Sequence, residues 1–564
     1  MMIPPETHES LGSLLREALV QFKTNTALIE VNRKKEVARF SYREFREVAE
    51  PLALRLEETG IEAGSRVAII MGNQSKWLLS AYACFFRGAI LIPVDYKLNG
   101  EEQATLVRHA KADLVITEYP AWRQLGDIGD TKTWVTEAPA DHDLEGAERW
   151  ETPAQGQGLP TFVPRKRTDV ATIVYSSGTG GLVKGCMLTH EAYLEQLRSL
   201  TALFPLETGD RYFSILPTNH AIDFMCGFAG PLSGGACVVH QRALRPEFIR
   251  HTMRTQKVTH MAVVPLILEA FERTIREKLD ELSTPARAAF EAIRRMNAKV
   301  TERRPNHALS SRLLKPVHDA FGGHLKLLFC GGAFVDRARA EFFYELGLPV
   351  VIGYGLTEAC TVLTVNDLMP FRGDSVGRPV DGVELTIRNA NPETGVGEVW
   401  ARSKTLMSGY LDAPELTADS LVDGWLRTGD LGWLDAANHL HLVGRSKNMI
   451  VTAGGKNVYP EDIEAAFDGL PCEELVVYAS GYLWPDTPLG AEALIAVAHD
   501  VDEERFVSEL RDRNLRLPDY KRISGLLLSE SPFPRTASMK VKRIALAETL
   551  REAASSHDLK SLRA

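Results

Sequence analysis

Residues 175–186 read YSSGTGGLVKGC. Gly178, Gly180, Gly181 and Gly185 are small enough for backbone N–H groups to approach phosphate oxygens. Ser176, Ser177 and Thr179 add hydroxyl donors, and Lys184 adds a charge. The chemistry on offer is the binding of a polyphosphate. The segment is not a Walker loop, because Lys184 lies between Val183 and Gly185 where that motif needs Gly-Lys-Ser/Thr. A glycine-rich strand-to-helix turn of this composition is as often only a tight turn, so the reading depends on what accompanies it.

Four further segments accompany it. Residues 327–334 (LLFCGGAF) form an apolar strand ending in a Gly-Gly turn at Gly331 and Gly332, followed by Ala333, where a flat base could lie against backbone. Residues 350–359 (VVIGYGLTEA) put Tyr354, Gly355, Thr357 and Glu358 after another strand, gathering a ring, a hydroxyl and a carboxylate without the third glycine of a dinucleotide fingerprint. Residues 425–433 (WLRTGDLGW) carry Asp430 in an expected tight turn, suited to accept bonds from ribose hydroxyls. Residues 444–464 bring Arg445, Lys447 and a second turn at Gly454 and Gly455, and residues 534–543 form a basic loop around Lys540.

Several elements must position these groups. Residues 40–60 read as a helix with a capping box from Ser41 to Glu44. Residues 66–71 form a short apolar strand, 76–87 a helix and 89–94 a strand; this alternation implies a parallel-rich α/β fold. The apolar run 78–94 contains Arg87, Gly88 and Pro93, so it reads as a buried helix entering a strand and not as a membrane span. The pattern continues with a strand at 170–175 and a helix at 191–204 that sets Tyr193, Leu197, Leu200 and Phe204 on one face. Residues 280–320 are helical and basic, a solvated face in the first reading and a peripheral membrane contact in the second. Short strands and turns follow from about 380, and a smaller α/β segment follows residue 444.

At 564 residues the chain exceeds what one core supports, so two domains are expected. A net charge of -9 argues against a dedicated nucleic-acid binder. The seven scattered cysteines form no CxxC spacing, which indicates neither a zinc site nor a disulfide framework, and reduced thiols in the cytoplasm are the simplest reading. Residues 1–21 lack the apolar run of a signal peptide.

In this order the five segments resemble the adenylate-forming superfamily of acyl- and aryl-CoA synthetases, peptide-synthetase adenylation domains and firefly-type luciferases, over about residues 40–543. The stretches GRSKNMIVTAGGKNVYPEDIE and SMKVKR, with the 280–320 insertion, are most similar to long-chain fatty acyl-CoA synthetases. The resemblance implies an α/β fold: a large N-terminal domain of parallel-rich sheets with helices and a small β-barrel-like part (1–444), and a smaller mobile α/β C-terminal domain (445–564) hinged near Lys447. It also implies ATP-dependent activation of a carboxylic acid, then acyl transfer to the thiol of CoA.

Residue by residue, the resemblance gives Ser176 to Lys184 the β- and γ-phosphates, Thr357 the α-phosphate and acyl oxygens, and Glu358 a Mg²⁺ ion. It puts Gly332, Ala333, Tyr354 and Gly355 around adenine, Asp430 and Arg445 on ribose, and His220 (in LPTNH) beside the acyl carboxylate. Lys540 bridges carboxylate and α-phosphate in the first half-reaction. In the second, the strip 451–459 with Gly454 and Gly455 lines a pantetheine tunnel. The sequence departs from the family pattern at Gly180, Val183, Phe334 and Met539, the last standing where glycine usually precedes the lysine. Asp223 is a candidate partner for a substrate amino group or a structural acid, and Cys186 and Cys330 read as small apolar fillers. Two alternatives stand beside the CoA ligase: an acyl-AMP ligase that loads an acyl carrier protein, and a non-catalytic protein that keeps the fold.

Overall fold

The computed structural model describes residues 3–156, 158–176, 184–451, 457–484, 493–536, 539–555 and 558–562. The site candidates Ser177, Gly178, Thr179, Gly180, Gly181, Gly454 and Gly455 lie outside them, as does the side chain of Ser176. Contacts divide the chain into two compact units: Met1–Glu384 with Ala401–Leu426, and Leu385–Trp400 with Arg427–Ala564.

Two sheets build the first unit. One has nine strands in the order Arg378–Pro379, Thr364–Val365, Val350–Tyr354, Leu327–Gly331, His260–Val263, Arg211–Ser214, Cys237–Gln241, Thr26–Asn32, Lys35–Ser41. Its middle is parallel and its flanks antiparallel. The inner strands are runs of Val, Ile, Leu and Phe because both faces are covered: Phe213, Val239, Met261, Leu328 and Val350 are buried in one cluster. The other sheet has eight strands in the order Gly409–Tyr410, Lys184–Thr189, Val170–Ser176, Ile90–Pro93, Arg66–Ile70, Leu114–Glu118, Lys132–Thr136, Glu148–Arg149.

The apolar run 78–94 is core, as its composition indicates. Every residue of the helix Ser75–Phe86 except Lys76 is buried, and the chain passes from it into the Ile90–Pro93 strand. The capping box forms as read, with Ser41 accepting from the Glu44 amide and the Glu44 carboxylate accepting from Ser41 N–H. The helix itself is Tyr42–Glu58, because Phe40 and Ser41 close the preceding Lys35–Ser41 strand. The glycine-rich segment also departs from expectation. It joins two antiparallel strands, Val170–Ser176 and Lys184–Thr189, and the helix begins only at His190. Ser176 and Lys184 are therefore register partners at the root of a hairpin.

In the second unit a four-stranded sheet (Cys472–Ala479, Leu494–Val501, Ile523–Ser529, Lys560–Ser561) carries apolar side chains on both faces. Ile463, Phe467, Phe506 and Leu510 cover one face. Leu483, Phe533, Leu546 and Leu550 cover the other. The region after 380 contributes to a five-stranded sheet of short strands and turns, in which Trp425–Leu434 and Leu440–Arg445 form a hairpin. Among the described residues no helix is long and apolar enough to cross a membrane.

Candidate active site

In the nine-stranded sheet, Tyr212 pairs with His260, Val263 with Cys330 and Gly331 with Gly353 across four neighbouring parallel strands. Their C-terminal ends therefore open on one edge, and the loops that leave them carry His220, Gly332–Ala333 and Tyr354–Glu358. Open parallel sheets bind ligands at such an edge. The close fit of backbone there depends on glycine. A Cβ on Gly331 would stand 2.8 Å from the Gly353 carbonyl oxygen, and one on Gly355 would overlap the Thr361 carbonyl. Gly332 adopts a φ of 88°, which turns the chain out of the strand.

These loops touch one another. Thr361 Oγ1 donates to the Ala221 carbonyl at 3.2 Å, tying the 357–361 turn to the short helix Ala221–Phe224 that His220 precedes. His220 Nε2 stands 3.7 Å from Asp95 Oδ2, just past the Ile90–Pro93 strand of the other sheet. Burial opposes the charge on Asp95, but the nearby His220 ring and a hydrogen bond from the Lys97 amide outweigh it and hold the carboxyl pKa below its ordinary value. Thr357 and Glu358 form one 3-10 turn, Thr357–Ala359, after which Cys360 takes a left-handed conformation with φ of 59°.

Glu358 is held from the second sheet. The Gly409–Tyr410 strand pairs antiparallel with Lys184–Thr189, with Tyr410 opposite Cys186. The Tyr410 hydroxyl donates to Glu358 Oε1 at 2.9 Å, and the Met407 amide donates to the Glu358 carbonyl at 2.8 Å. The Lys184 ammonium lies 5.6 Å from the centre of the Tyr410 ring. An ammonium from the hairpin root, a phenol and a carboxylate thus line up between the two sheets. Tyr410 escapes a sequence reading because its partners lie 52 residues away at Glu358 and more than 200 away at Lys184, so no local spacing marks it.

Asp223, read as an amino-group partner or a structural acid, is fully buried. It accepts from Ser214, Thr218 and Tyr212 hydroxyls at 2.6, 2.9 and 3.2 Å. Cys186 and Cys330 are buried free thiols, and burial pushes the Cys330 pKa up to about 12. Both fill apolar space, as their sequence setting indicates.

The remaining candidates belong to the second unit. Asp430 does not stand in a turn. It sits within the Trp425–Leu434 strand directly opposite Arg445, whose Nε lies 2.8 Å from Oδ1. The turn signal came from Gly429, whose φ of 72° bends the strand locally without ending it. Lys540 pairs with Thr536, its amide donating to Thr536 Oγ1 at 3.1 Å and the Thr536 amide donating back to its carbonyl at 2.8 Å. Met539 takes φ of 64°, which explains why glycine suits that position. Arg535 donates to the Met539 carbonyl at 2.6 Å while pairing with the half-buried carboxylate of Glu474.

Chemically, the first unit offers a cationic hairpin root and a carboxylate facing backbone turns at strand ends, an arrangement suited to a polyanion. No group of three or more His, Cys, Asp or Glu able to hold a metal occurs among the described residues. A cation here would rest on Glu358 and on oxygens that a bound phosphate brings, which is how Mg²⁺ is commonly held.

The chain is similar to several known proteins. Long-chain-fatty-acid–CoA ligase FadD15 of Mycobacterium bovis is 27% identical over 447 residues, 73% of this chain and 70% of the relative. The 2-succinylbenzoate–CoA ligase of Bacillus licheniformis is 27% identical over 504 residues, 88% and 92% of the two chains. Among solved structures, O-succinylbenzoate coenzyme A synthetase (MenE) of Bacillus subtilis, in complex with ATP and magnesium ion, superposes with a TM-score of 0.74 at 20% identity. That match covers 94% of this chain and 98% of the other, and supports the α/β fold with its large sheet-rich and smaller units. Residues 15–411, which take in the glycine-rich hairpin, His220, Glu358 and Tyr410, match the AMP-binding enzyme family, and the chain belongs to it.

Proposed function

We propose that this protein uses ATP to convert a carboxylic acid, a fatty acid in the first instance, to its acyl-adenylate, and then transfers the acyl group to the thiol of coenzyme A. The observation that carries the reading is the convergence of Lys184 and Glu358 on Tyr410, at the strand-end edge where Gly332 and Tyr354 emerge. In a chain of the AMP-binding family, that edge suits a nucleotide with its phosphates toward Lys184.

The first half-reaction joins two anions. A carboxylate oxygen attacks the α-phosphorus, the bond to pyrophosphate breaks, and no general base is needed because the nucleophile is already ionised. The protein's task is charge neutralisation and in-line placement. Lys184 and the loop before it hold the β- and γ-phosphates, Thr357 bonds the α-phosphate, and His220 orients the incoming carboxylate. Glu358 would hold Mg²⁺, which when bound neutralises phosphate charge. Gly332, Ala333, Tyr354 and Gly355 frame the adenine, and Asp430 and Arg445 serve the ribose. Lys540 bridges the two reacting groups as a compact charge. In the second half-reaction a thiolate attacks the acyl carbon and AMP leaves. The 445–564 lid turns about Lys447 between the steps, exchanging Lys540 for the strip 451–459.

The fatty-acid assignment is supported by the resemblance of residues 444–464 and 538–543 to long-chain enzymes and by the FadD15 match. The 2-succinylbenzoate ligase match over 88% of the chain favours an aryl acid as the second reading. A reducing compartment such as the cytoplasm suits the free cysteines.

ATP–pyrophosphate exchange across acids from acetate to palmitate, with 2-succinylbenzoate and anthranilate included, tests the proposal. Exchange is expected with the long-chain acids. Exchange with aryl acids alone would replace the substrate class, and exchange with none would overturn adenylation of these acids.

A further inference from the structure

Glu358 has one carboxylate oxygen engaged before any ligand arrives. Tyr410, only 6% exposed, directs its hydroxyl to Oε1 at 2.9 Å, and its backbone is fixed from two sides. Its amide donates to Thr417 Oγ1 at 2.9 Å, and the neighbouring Leu411 amide donates to the Gly185 carbonyl at 2.8 Å. A neutral donor on a carboxylate makes a charge-assisted bond, stronger and more directional than one between neutral groups. The other oxygen, Oε2, is then held in a set direction. The same ring lies 5.6 Å from the Lys184 ammonium, close enough for a cation–π attraction.

Building on the proposed ATP chemistry, we propose that Tyr410 is the positioning residue of the nucleotide site: it locks Glu358 in the rotamer that receives a magnesium–triphosphate and registers that carboxylate against Lys184. The residue acts through Glu358 and touches no reacting atom. Its contribution therefore concerns the magnesium-dependent part of nucleotide binding and not nucleotide binding in general.

Calorimetric titration of the full-length protein with ATP, once with Mg²⁺ and once with EDTA, tests this in the wild type and in Tyr410→Phe. The variant keeps the ring, and with it the packing and the contact to Lys184. With Mg²⁺ its ATP affinity is expected to fall about tenfold, the scale of one hydrogen bond to a charged group. With EDTA it should change less than about twofold, because Glu358 then has no cation to receive. Glu358→Gln should lose the magnesium-dependent increment, and adding Tyr410→Phe to it should cost nothing further, because coupled residues are not additive. An equal fall with and without Mg²⁺, no fall at all, or additive losses in the double variant would each overturn the proposal. A wild type whose ATP binding ignores Mg²⁺ would overturn the magnesium–ATP reading itself, and the role of Tyr410 with it.

Discussion

Asp223 sits three residues past His220, yet its environment is that of a core residue. Three hydroxyls donate to its carboxylate, and burial still outweighs them, pushing its pKa up to about 7. The unfolded value is about 3.9. A carboxyl whose folded pKa is raised binds its proton more tightly in the native state. The stability it lends is full below about pH 4 and is lost as pH rises through about 7. Asp223→Asn keeps the shape and removes the titration. The variant is expected to gain on the wild type by about 2–4 kcal/mol between pH 4 and pH 8, since each tenfold difference in proton affinity between the folded and unfolded chain is worth roughly 1.4 kcal/mol. Urea midpoints for the first unit's unfolding transition, measured across that range, read this directly. Parallel curves for the two proteins would mean that Asp223 is ionised throughout.

At the scale of the element, the turn after Val350–Tyr354 decides where Thr357 and Glu358 point. Gly355 lies against the Thr361 carbonyl with no room for a side chain, whereas a Cβ on Gly353, two residues earlier, would meet nothing within 4 Å. Gly355→Ala is expected to cost about 1–3 kcal/mol through overpacking and to weaken ATP binding by displacing Glu358. Gly353→Ala serves as the control, close to wild type in both thermal midpoint and nucleotide affinity. Equal behaviour of the two variants would refute the steric account. The same turn shows how far the sequence can be read. The strand ends that carry Gly332, Tyr354 and Glu358 are legible because apolar strands ending in glycine leave a local signature, and the helix cap at Ser41 is legible because its partner is three residues away. The glycine-rich hairpin reads wrongly as a strand-to-helix turn because KGCMLT has too few periods to distinguish a returning strand from a helix start. Asp430 is misplaced for the opposite reason, a glycine bend inside a continuous strand. Tyr410 is invisible, since its meaning arises only when Gly409–Tyr410 pairs with Lys184–Thr189 across the sheet.

At the scale of the whole molecule, the contact-based units interleave along the chain, with 385–400 joining the second unit ahead of 427–564. Compactness reports which residues touch, whereas the proposed hinge at Lys447 concerns which residues move. The two boundaries answer different questions. Within the second unit, the backbone beside Lys540 is tied to the body by Arg535, which donates to the Met539 carbonyl and pairs with Glu474. A rigid body that turns as one can offer this lysine in one half-reaction and withdraw it in the next. Lys540→Ala is therefore expected to reduce acyl-adenylate formation by about 10²–10³-fold, the usual effect of losing one electrostatic stabiliser. Thioester formation from supplied acyl-adenylate and CoA should stay within about threefold of wild type, because the proposed lid turn withdraws the lysine before that step. Single-turnover measurement of each half-reaction separates the two. Equal loss in both would tie Lys540 to a site that does not change between steps, and the exchange of lid faces would fail with it.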